Sequence, residues 1–147
     1  MSLFESLTLD SQEARKSQDK ERLSVLQMAL SAIKNEQIKK QKELSDEEVV
    51  EVIARQVKQL KDAIKDFEAG GRQDLVESSN KEIEIFTSYL PEQASEEEVE
   101  RVVKEVIEKM SPSGPEDFGR VMGAAMNQLK GKADGNIVQD VVKKLLS

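Results

Sequence analysis

Two apolar helix patterns near the end of the chain meet at the stretch Lys130-Gly131-Lys132-Ala133-Asp134-Gly135. Apolar residues recur at helical spacing on both sides of it: Phe118, Val121, Met122, Ala125, Met126 and Leu129 before, and Ile137, Val138, Val141, Val142 and Leu145 after. Gly131 stands where a residue after a helix adopts a left-handed conformation, and Asp134 stands where a side-chain oxygen can cap the next helix. The stretch predicts a tight turn between two helices.

Positive charge gathers around this turn, although the protein as a whole is acidic. From Arg120 onward the chain carries five basic residues against two acidic ones, a local net charge of +3, whereas all 147 residues together carry -7. The contrast favours an anionic partner at this end of the chain. A lysine beside a helix C-terminus also stabilises the helix dipole, so composition leaves both interpretations open.

The residue inventory closes most routes to catalysis. The chain contains no Cys, which excludes disulfides, thiolate zinc sites and cysteine nucleophiles. It contains no His, the usual general base near neutral pH and the commonest transition-metal ligand. The remaining candidate nucleophiles, such as Ser78, Ser79 and Ser88, are expected on a helix surface. We therefore expect a protein that is not an enzyme by itself.

The sequence also gives expectations about location and cofactors. No apolar run reaches membrane-spanning length, and the start Met1-Ser2-Leu3-Phe4-Glu5 shows no basic leader, so we expect a cytoplasmic protein with no membrane partner. The acidic clusters Asp46-Glu47-Glu48 and Glu96-Glu97-Glu98 could hold a hard cation. Both fall where acids stabilise the first turn of a helix, so we expect no metal and no cofactor.

Helical periodicity runs through the whole chain and predicts an all-α fold. We expect an N-terminal bundle of about four helices in residues 1–90, a C-terminal three-helix subdomain in residues 95–147, and a hinge near residues 91–94. A chain of 147 residues can form two small helical subdomains that share little core. In the second helix we expect one inward face formed by Leu23, Leu26, Leu30 and Ile33 and continued by Gln37 and Ile38.

Short polar and proline-containing motifs mark the helix ends. Ser45-Asp46-Glu47-Glu48 and Ser95-Glu96-Glu97-Glu98 both fit the capping box, in which the serine and the third following acid each bond to the other's amide. Gly70-Gly71 and Pro91 predict the ends of the third and fourth helices. Pro115 suits the first turn of the sixth helix.

Two motifs beside the fourth helix have structural and functional interpretations. Arg72 follows the Gly70-Gly71 turn, where Asp74 is expected to cap the fourth helix, and Arg72 is either part of that turn or a phosphate ligand. At the other end, the stretch Tyr89-Leu90-Pro91-Glu92-Gln93 is expected to act as a hinge, with Tyr89 and Leu90 anchoring the junction between the two subdomains.

Two glycines in the sixth helix need an explanation. Gly119 and Gly123 each cost about 1 kcal/mol of helix stability relative to alanine. Four-residue spacing puts them on one face, so close contact between helices is the favoured explanation, and close approach of a partner's backbone is the alternative. No strand precedes them and no GKS or GKT follows, so they do not form a P-loop.

Several motifs follow one another in a specific order along almost the whole chain: Arg22-Leu23, Lys58-Gln59, Gly71-Arg72-Gln73-Asp74-Leu75, Tyr89-Leu90-Pro91-Glu92-Gln93, Gly119-Arg120-Val121-Met122-Gly123 and Lys130-Gly131-Lys132-Ala133-Asp134-Gly135. In this order they resemble the YqeY family of small bacterial proteins. The domain of that family also forms the C-terminal tail of the GatB subunit of tRNA-dependent amidotransferase.

The resemblance implies a link to the handling of charged tRNA, since the related tail helps the amidotransferase engage tRNA while catalysis occurs elsewhere in that enzyme. It favours a non-catalytic module that binds tRNA or a tRNA-charging or amidating enzyme, with Arg120, Lys130, Lys132 and Arg72 as nucleic-acid contacts. Two alternatives stay open. One is a carbon-nitrogen ligase with glutamine as amido donor, and the other is a protein-interaction module without RNA contact, which the acidic net charge favours.

Overall fold

The computed structural model describes residues 1–146, and every regular element in this range is helical. The α-helices are α1 (Leu3–Lys16), α2 (Lys20–Lys40), α3 (Asp46–Ala69), α4 (Gln73–Thr87), α5 (Glu96–Met110), α6 (Phe118–Leu129) and α7 (Gly135–Leu146). The predicted all-α fold is confirmed. Within the described range, none of the helices combines the length and the apolar character needed to cross a bilayer.

The helices group into two compact units, Met1–Leu90 and Pro91–Ser147. In the first unit α1 packs on α2, α3 packs on α4, and α2 also contacts α3 and α4. In the second unit α5, α6 and α7 each pack on the other two. The hinge near residues 91–94 stays a prediction.

Each unit has its own core of mainly aliphatic side chains. The first core contains Leu7, Ala14, Val25, Leu26, Ala29, Ile33, Val49, Val52, Ile53, Val57 and Phe86. The second contains Val99, Val102, Val103, Val106, Val121, Ala125, Leu129, Val138 and Val142. Apolar residues at helical spacing supply both cores, as expected when amphipathic helices bury one face.

The capping boxes predicted at the starts of α3 and α5 differ in how completely they form. At α3 the capping box is confirmed, because Ser45 Oγ accepts from the Glu48 amide at 3.3 Å and the Ser45 amide donates to Glu48 Oε1 at 3.1 Å. At α5, Ser95 Oγ accepts from the Glu98 amide at 3.2 Å, while the Glu98 carboxylate lies 4.0 Å from Arg101 Nη2. The serine half of the second box is therefore formed, and the Glu98 carboxylate lies near a cation.

Pro115 does not lie in the first turn of α6, so that expectation was wrong. It is the first residue of a separate 3-10 turn, Pro115–Asp117, and α6 begins at Phe118, directly after that turn. Asp117 Oδ2 holds this turn to the preceding segment by accepting from the Ser113 amide at 2.8 Å and from Ser113 Oγ at 3.1 Å. These bonds lower the pKa of Asp117.

Two expectations about burial were also wrong. Ile38 was expected to face inward, but it lies in the last turn of α2 and is 75% exposed. Val25 and Ala29 are buried instead, because α2 contacts three other helices and so buries a broader face than one stripe. Ser79 was expected on a surface but is buried in α4.

Candidate nucleic-acid interface

The turn after α6 has a defined backbone. Gly131 adopts φ +75°, a left-handed conformation that glycine tolerates best. The amides of Lys132 and Ala133 both donate to the Leu129 carbonyl, at 2.8 and 3.0 Å, so two of the turn's amides close back on the end of α6. This pattern satisfies a carbonyl that the helix end leaves without an intrahelical partner.

Asp134 begins the next helix in two ways. Its Oδ1 accepts from the Asn136 amide at 2.9 Å, and its backbone carbonyl accepts from Ile137 and Val138 at 3.0 and 3.2 Å. Gly135 is the first residue of α7. The side chain of Asp134 thus serves an amide of the first turn, as an N-cap does.

The basic side chains of this unit do not all lie together. Lys130 and Lys132 are exposed on the turn, whereas Arg120 lies in the first turn of α6. Ten residues of helical rise separate Arg120 from Lys130 by about 15 Å. Arg120 Nη1 also lies 3.3 Å from Asp117 Oδ1, so part of its charge is balanced locally. The lysine pair is therefore the compact basic feature, and Arg120 is remote from it.

The exposed face of α6 carries Gly119 and Gly123, and their expected packing role was wrong. A methyl group built at either position would meet no other atom within 4 Å, and both glycines are exposed. Helix-helix contact therefore does not require glycine here. The alternative interpretation, close approach of a partner's backbone along this face, stays a prediction.

Arg72 is engaged by its own turn. Its Nε and Nη2 donate to the two carboxylate oxygens of Asp74, at 3.2 and 3.0 Å, which raises the pKa of Arg72 and lowers that of Asp74. Asp74 was expected to cap α4, but the helix begins at Gln73 and Arg72 is its N-cap residue, without a side-chain cap bond. Arg72 as a phosphate ligand would have to give up or share this two-bond contact.

Tyr89 is anchored within the first unit. Its hydroxyl donates to Asp10 Oδ2 in α1 and accepts from Arg22 Nη2 in α2. Leu90 packs against the first core. The structure thus gives Tyr89 partners in its own unit, and its expected hinge role, like that of Pro91, stays a prediction.

A group of charges between α2 and α3 was not recognised from sequence. Lys40 Nζ and Lys42 Nζ lie 2.9 and 3.3 Å from the carboxylate of Glu48. The hydrogen bond from Lys40, followed by that from the Ser45 amide, lowers the pKa of Glu48 to about 2. Lys40 at the end of α2 and Lys42 shortly after it therefore help to neutralise this acid. The capping-box pattern could have indicated that Glu48 was fixed, but not which lysines reach it.

The acidic clusters are not arranged as a metal site in the part of the chain that the structure describes. There, no group of three or more Asp, Glu, His or Cys side chains is placed to hold an ion. The first-turn positions of Asp46, Glu47 and Glu48 in α3, and of Glu96, Glu97 and Glu98 in α5, agree with dipole stabilisation.

Comparison with known proteins finds relatives that match most of the chain. A protein of Pyrenophora tritici-repentis named "Altered inheritance of mitochondria protein 41, mitochondrial" is 26% identical over 95% of this chain and 78% of its own length. The protein of the same name in Candida glabrata is 32% identical over 88% of this chain and 69% of its own. Neither name denotes an enzyme, in agreement with the expectation of a chain that is not catalytic by itself.

These names correct the expected location. We expected a cytoplasmic protein, but both relatives are named as mitochondrial proteins. The expectation rested on the lack of a leader pattern, and a cellular address is read by receptors from a separate segment rather than from the packed helices. The helical pattern therefore carries no information about the compartment.

A shorter similarity is to a protein named as an amidotransferase subunit. Over 54 residues, 34% of this chain, it is 44% identical to a Thermococcus gammatolerans protein that is named as a subunit of glutamyl-tRNA(Gln) amidotransferase. The match covers only 9% of that protein. The shared part is thus a small piece of a large protein.

The broadest match is to a whole family. The sequence model described as "Yqey-like protein" matches residues 4–146. This range includes all seven helices from Phe4 of α1 to the end of α7, and with them both units. The chain belongs to the Yqey-like protein family.

Proposed function

We propose that this chain is a non-catalytic accessory module that binds tRNA, or an enzyme that handles tRNA, through the turn Lys130–Gly135. The observation that carries the proposal is the 54-residue similarity to a protein named for amidation of glutamyl-tRNA. Two other proteins of the same name, from Aeropyrum pernix and Methanocaldococcus jannaschii, match over a similar length.

The geometry of the turn supports a phosphate contact. Lys130 and Lys132 are exposed and two residues apart, on a backbone that Gly131 and Asp134 shape. A turn that is already ordered loses less conformational entropy on binding than a flexible one. The acidic remainder of the chain repels a polyanion, which would restrict contact to the basic part.

The residue inventory supports a module without chemistry of its own. Hydrolysis of glutamine needs an activated nucleophile and a base, and the sequence offers neither Cys nor His. Of the serines considered as nucleophiles, Ser79 is buried in α4, and Ser88 Oγ donates to the Ile85 carbonyl at 2.6 Å. These observations favour an accessory module over the carbon-nitrogen ligase alternative.

The proposal is tested by measuring binding of the full chain to tRNA as a function of salt. Two or three phosphate contacts should give a slope of log K against log salt of about -2 to -3. A matched acidic helical protein of similar size serves as the control for non-specific retention. Lack of binding at low salt would remove tRNA as a direct ligand.

The net charge favours one second candidate, a protein partner. A chain of net charge -7 and pI near 4.8 is suited to a basic face on another protein. The same salt titration with a purified amidotransferase, without tRNA, distinguishes the two. Binding to the enzyme alone, with no affinity for free tRNA, would favour the protein-interaction module.

A further inference from the structure

The segment that follows Pro91 is bonded to the basic turn. Gln93 Nε2 donates to the Gly131 carbonyl at 2.9 Å and to the Pro91 carbonyl at 2.9 Å. The neighbouring Ala94 amide donates to the Lys132 carbonyl at 2.8 Å. Two motifs that lie 38 residues apart in sequence therefore meet in the second unit.

The chemistry of this contact is specific for a carboxamide. Both acceptors are backbone carbonyls, so only the NH2 group of Gln93 can face them, and its two hydrogens serve one carbonyl each. A carboxylate of the same size would place oxygens against oxygens. An apolar chain of the same length would fill the space but donate nothing.

The contact engages the backbone of the turn. The carbonyls of Gly131 and Lys132 are engaged by residues 93 and 94, while the amides of Lys132 and Ala133 are engaged by Leu129. The backbone of the turn is thus bonded on both sides. Lys130 and Lys132 are both exposed on this turn.

We propose that Gln93 is the positioning residue of the phosphate-binding turn, because its carboxamide holds the Gly131 carbonyl and thereby the orientation in which Lys130 and Lys132 meet an RNA backbone. This inference rests on the proposed function. Gln93 contacts no ligand in this scheme and acts only through the turn. The partner class is a polyanion with regularly spaced phosphates, which two lysines in a fixed orientation can match.

Gln93→Met in the full chain tests the role, because methionine has a similar length and no charge and cannot donate. The matched control is Gln59→Met on the exposed face of α3. Three measurements are made on each variant: helix content by circular dichroism, hydrogen exchange of the Ala94 amide, and tRNA binding over a range of salt.

For Gln93→Met we expect unchanged helix content, exchange of the Ala94 amide about tenfold faster, and tRNA affinity weaker by about three- to tenfold, the range expected for one or two hydrogen bonds. The salt slope should stay as in the unaltered protein, since both lysines remain. A structural role alone would speed exchange without weakening binding.

The outcomes separate this inference from the function on which it rests. If the unaltered chain binds tRNA and Gln93→Met binds equally well, the positioning role is overturned and the proposed function stands. If the unaltered chain binds no tRNA, both fall together. If Gln93→Met weakens tRNA binding but leaves the exchange of the Ala94 amide unchanged, the effect does not act through the turn and the positioning role is overturned.

Discussion

The Tyr89 hydroxyl donates a hydrogen bond to Asp10 Oδ2 at 2.5 Å, across 79 positions of sequence. Arg22 Nη2 donates to the same hydroxyl at 3.0 Å and lies 3.8 Å from the same carboxylate oxygen. The three side chains come from α1, α2 and the segment directly after α4. These contacts join the segment after α4, at the end of the first unit, to α1 and α2 at its beginning.

This contact predicts the titration of the chain's single tyrosine. Burial of the ring, and next the hydrogen bond to Asp10, raise the pKa of Tyr89 to about 12 from the ordinary 10.0. Between pH 10 and 12 the folded protein then holds a proton that the unfolded chain has lost. The stabilising contribution is therefore complete below pH 10 and is lost as pH rises towards 12.

Phenolate absorbance measures this directly, because the sequence contains one Tyr and no Trp. We expect a midpoint near pH 12 in the folded protein and a lower midpoint in Asp10→Asn, which removes a negative neighbour. A midpoint at the ordinary pH 10 in the folded protein would contradict the Tyr89–Asp10 contact.

The loss of thermal stability at acidic pH should depend on Glu48. Because the bond from Lys40 lowers the pKa of Glu48 to about 2 from the ordinary 4.5, the carboxylate contributes stability above pH 4.5 and loses it as pH falls towards 2. Glu48→Gln should flatten the loss of Tm across this window. Glu47→Gln, an exposed neighbour in the same turn, controls for removal of one negative charge from the start of α3.

The lysine pair is tested by Lys130→Ala with Lys132→Ala. We expect weaker tRNA binding with unchanged helix content, and a salt slope shallower by up to about 2, because two phosphate contacts are removed. Lys104→Ala with Lys109→Ala, at exposed positions of α5, removes the same charge elsewhere in the unit. Equal effects of the two double variants would show a general charge effect and not a site.

Two glycines give opposite expectations for the same chemical change. Gly123→Ala places a methyl group in open space within a helix and should raise the free energy of unfolding by up to about 1 kcal/mol. Gly131→Ala forces an alanine into φ +75° and should lower it by about 1 kcal/mol. Urea denaturation measures both. Gly123→Ala should also weaken partner binding if a partner's backbone approaches α6.

The boundary between the units is tested with two fragments. Residues 95–147 contain the three helices of the second unit, and residues 91–147 add the bonds of Gln93 and Ala94 to the turn. Both should be helical, with marginal stability at this size, and the longer one should melt at the higher temperature. If both are unfolded, the proposed independence of the C-terminal subdomain is wrong.

Local chemistry made most of the fold predictable from sequence. Ser45 and Ser95 marked helix starts because a serine side chain satisfies an amide only two or three residues away. Gly70 and Gly71 marked the end of α3 for a similar reason. In each case the residues that start or end the helix are close neighbours in sequence, so the local sequence contains both partners of the interaction.

The wrong or missed predictions involve side chains that have a competing partner, or contacts between residues far apart in the sequence. Asp74 had the right residue type for a cap, but the adjacent Arg72 guanidinium binds its carboxylate. Gly119 and Gly123 had the spacing of a packing face, yet which face of α6 packs is set by α5 and α7. Tyr89 could not be paired with Asp10, because nothing in a sequence of 147 residues specifies which polar groups meet across 79 positions.

The contact between Gln93 and Gly131 has a consequence for how it could be recognised in an alignment. The acceptor is a main-chain carbonyl, which every residue type supplies, so a change at position 131 need not be compensated by a change at position 93. Pairs of side chains in contact tend to covary, whereas a carboxamide that reads the backbone does not. Contact prediction from covarying positions should therefore fail to detect the bond between Gln93 and the Gly131 carbonyl. Glutamine at position 93 should instead vary independently of the residues it touches.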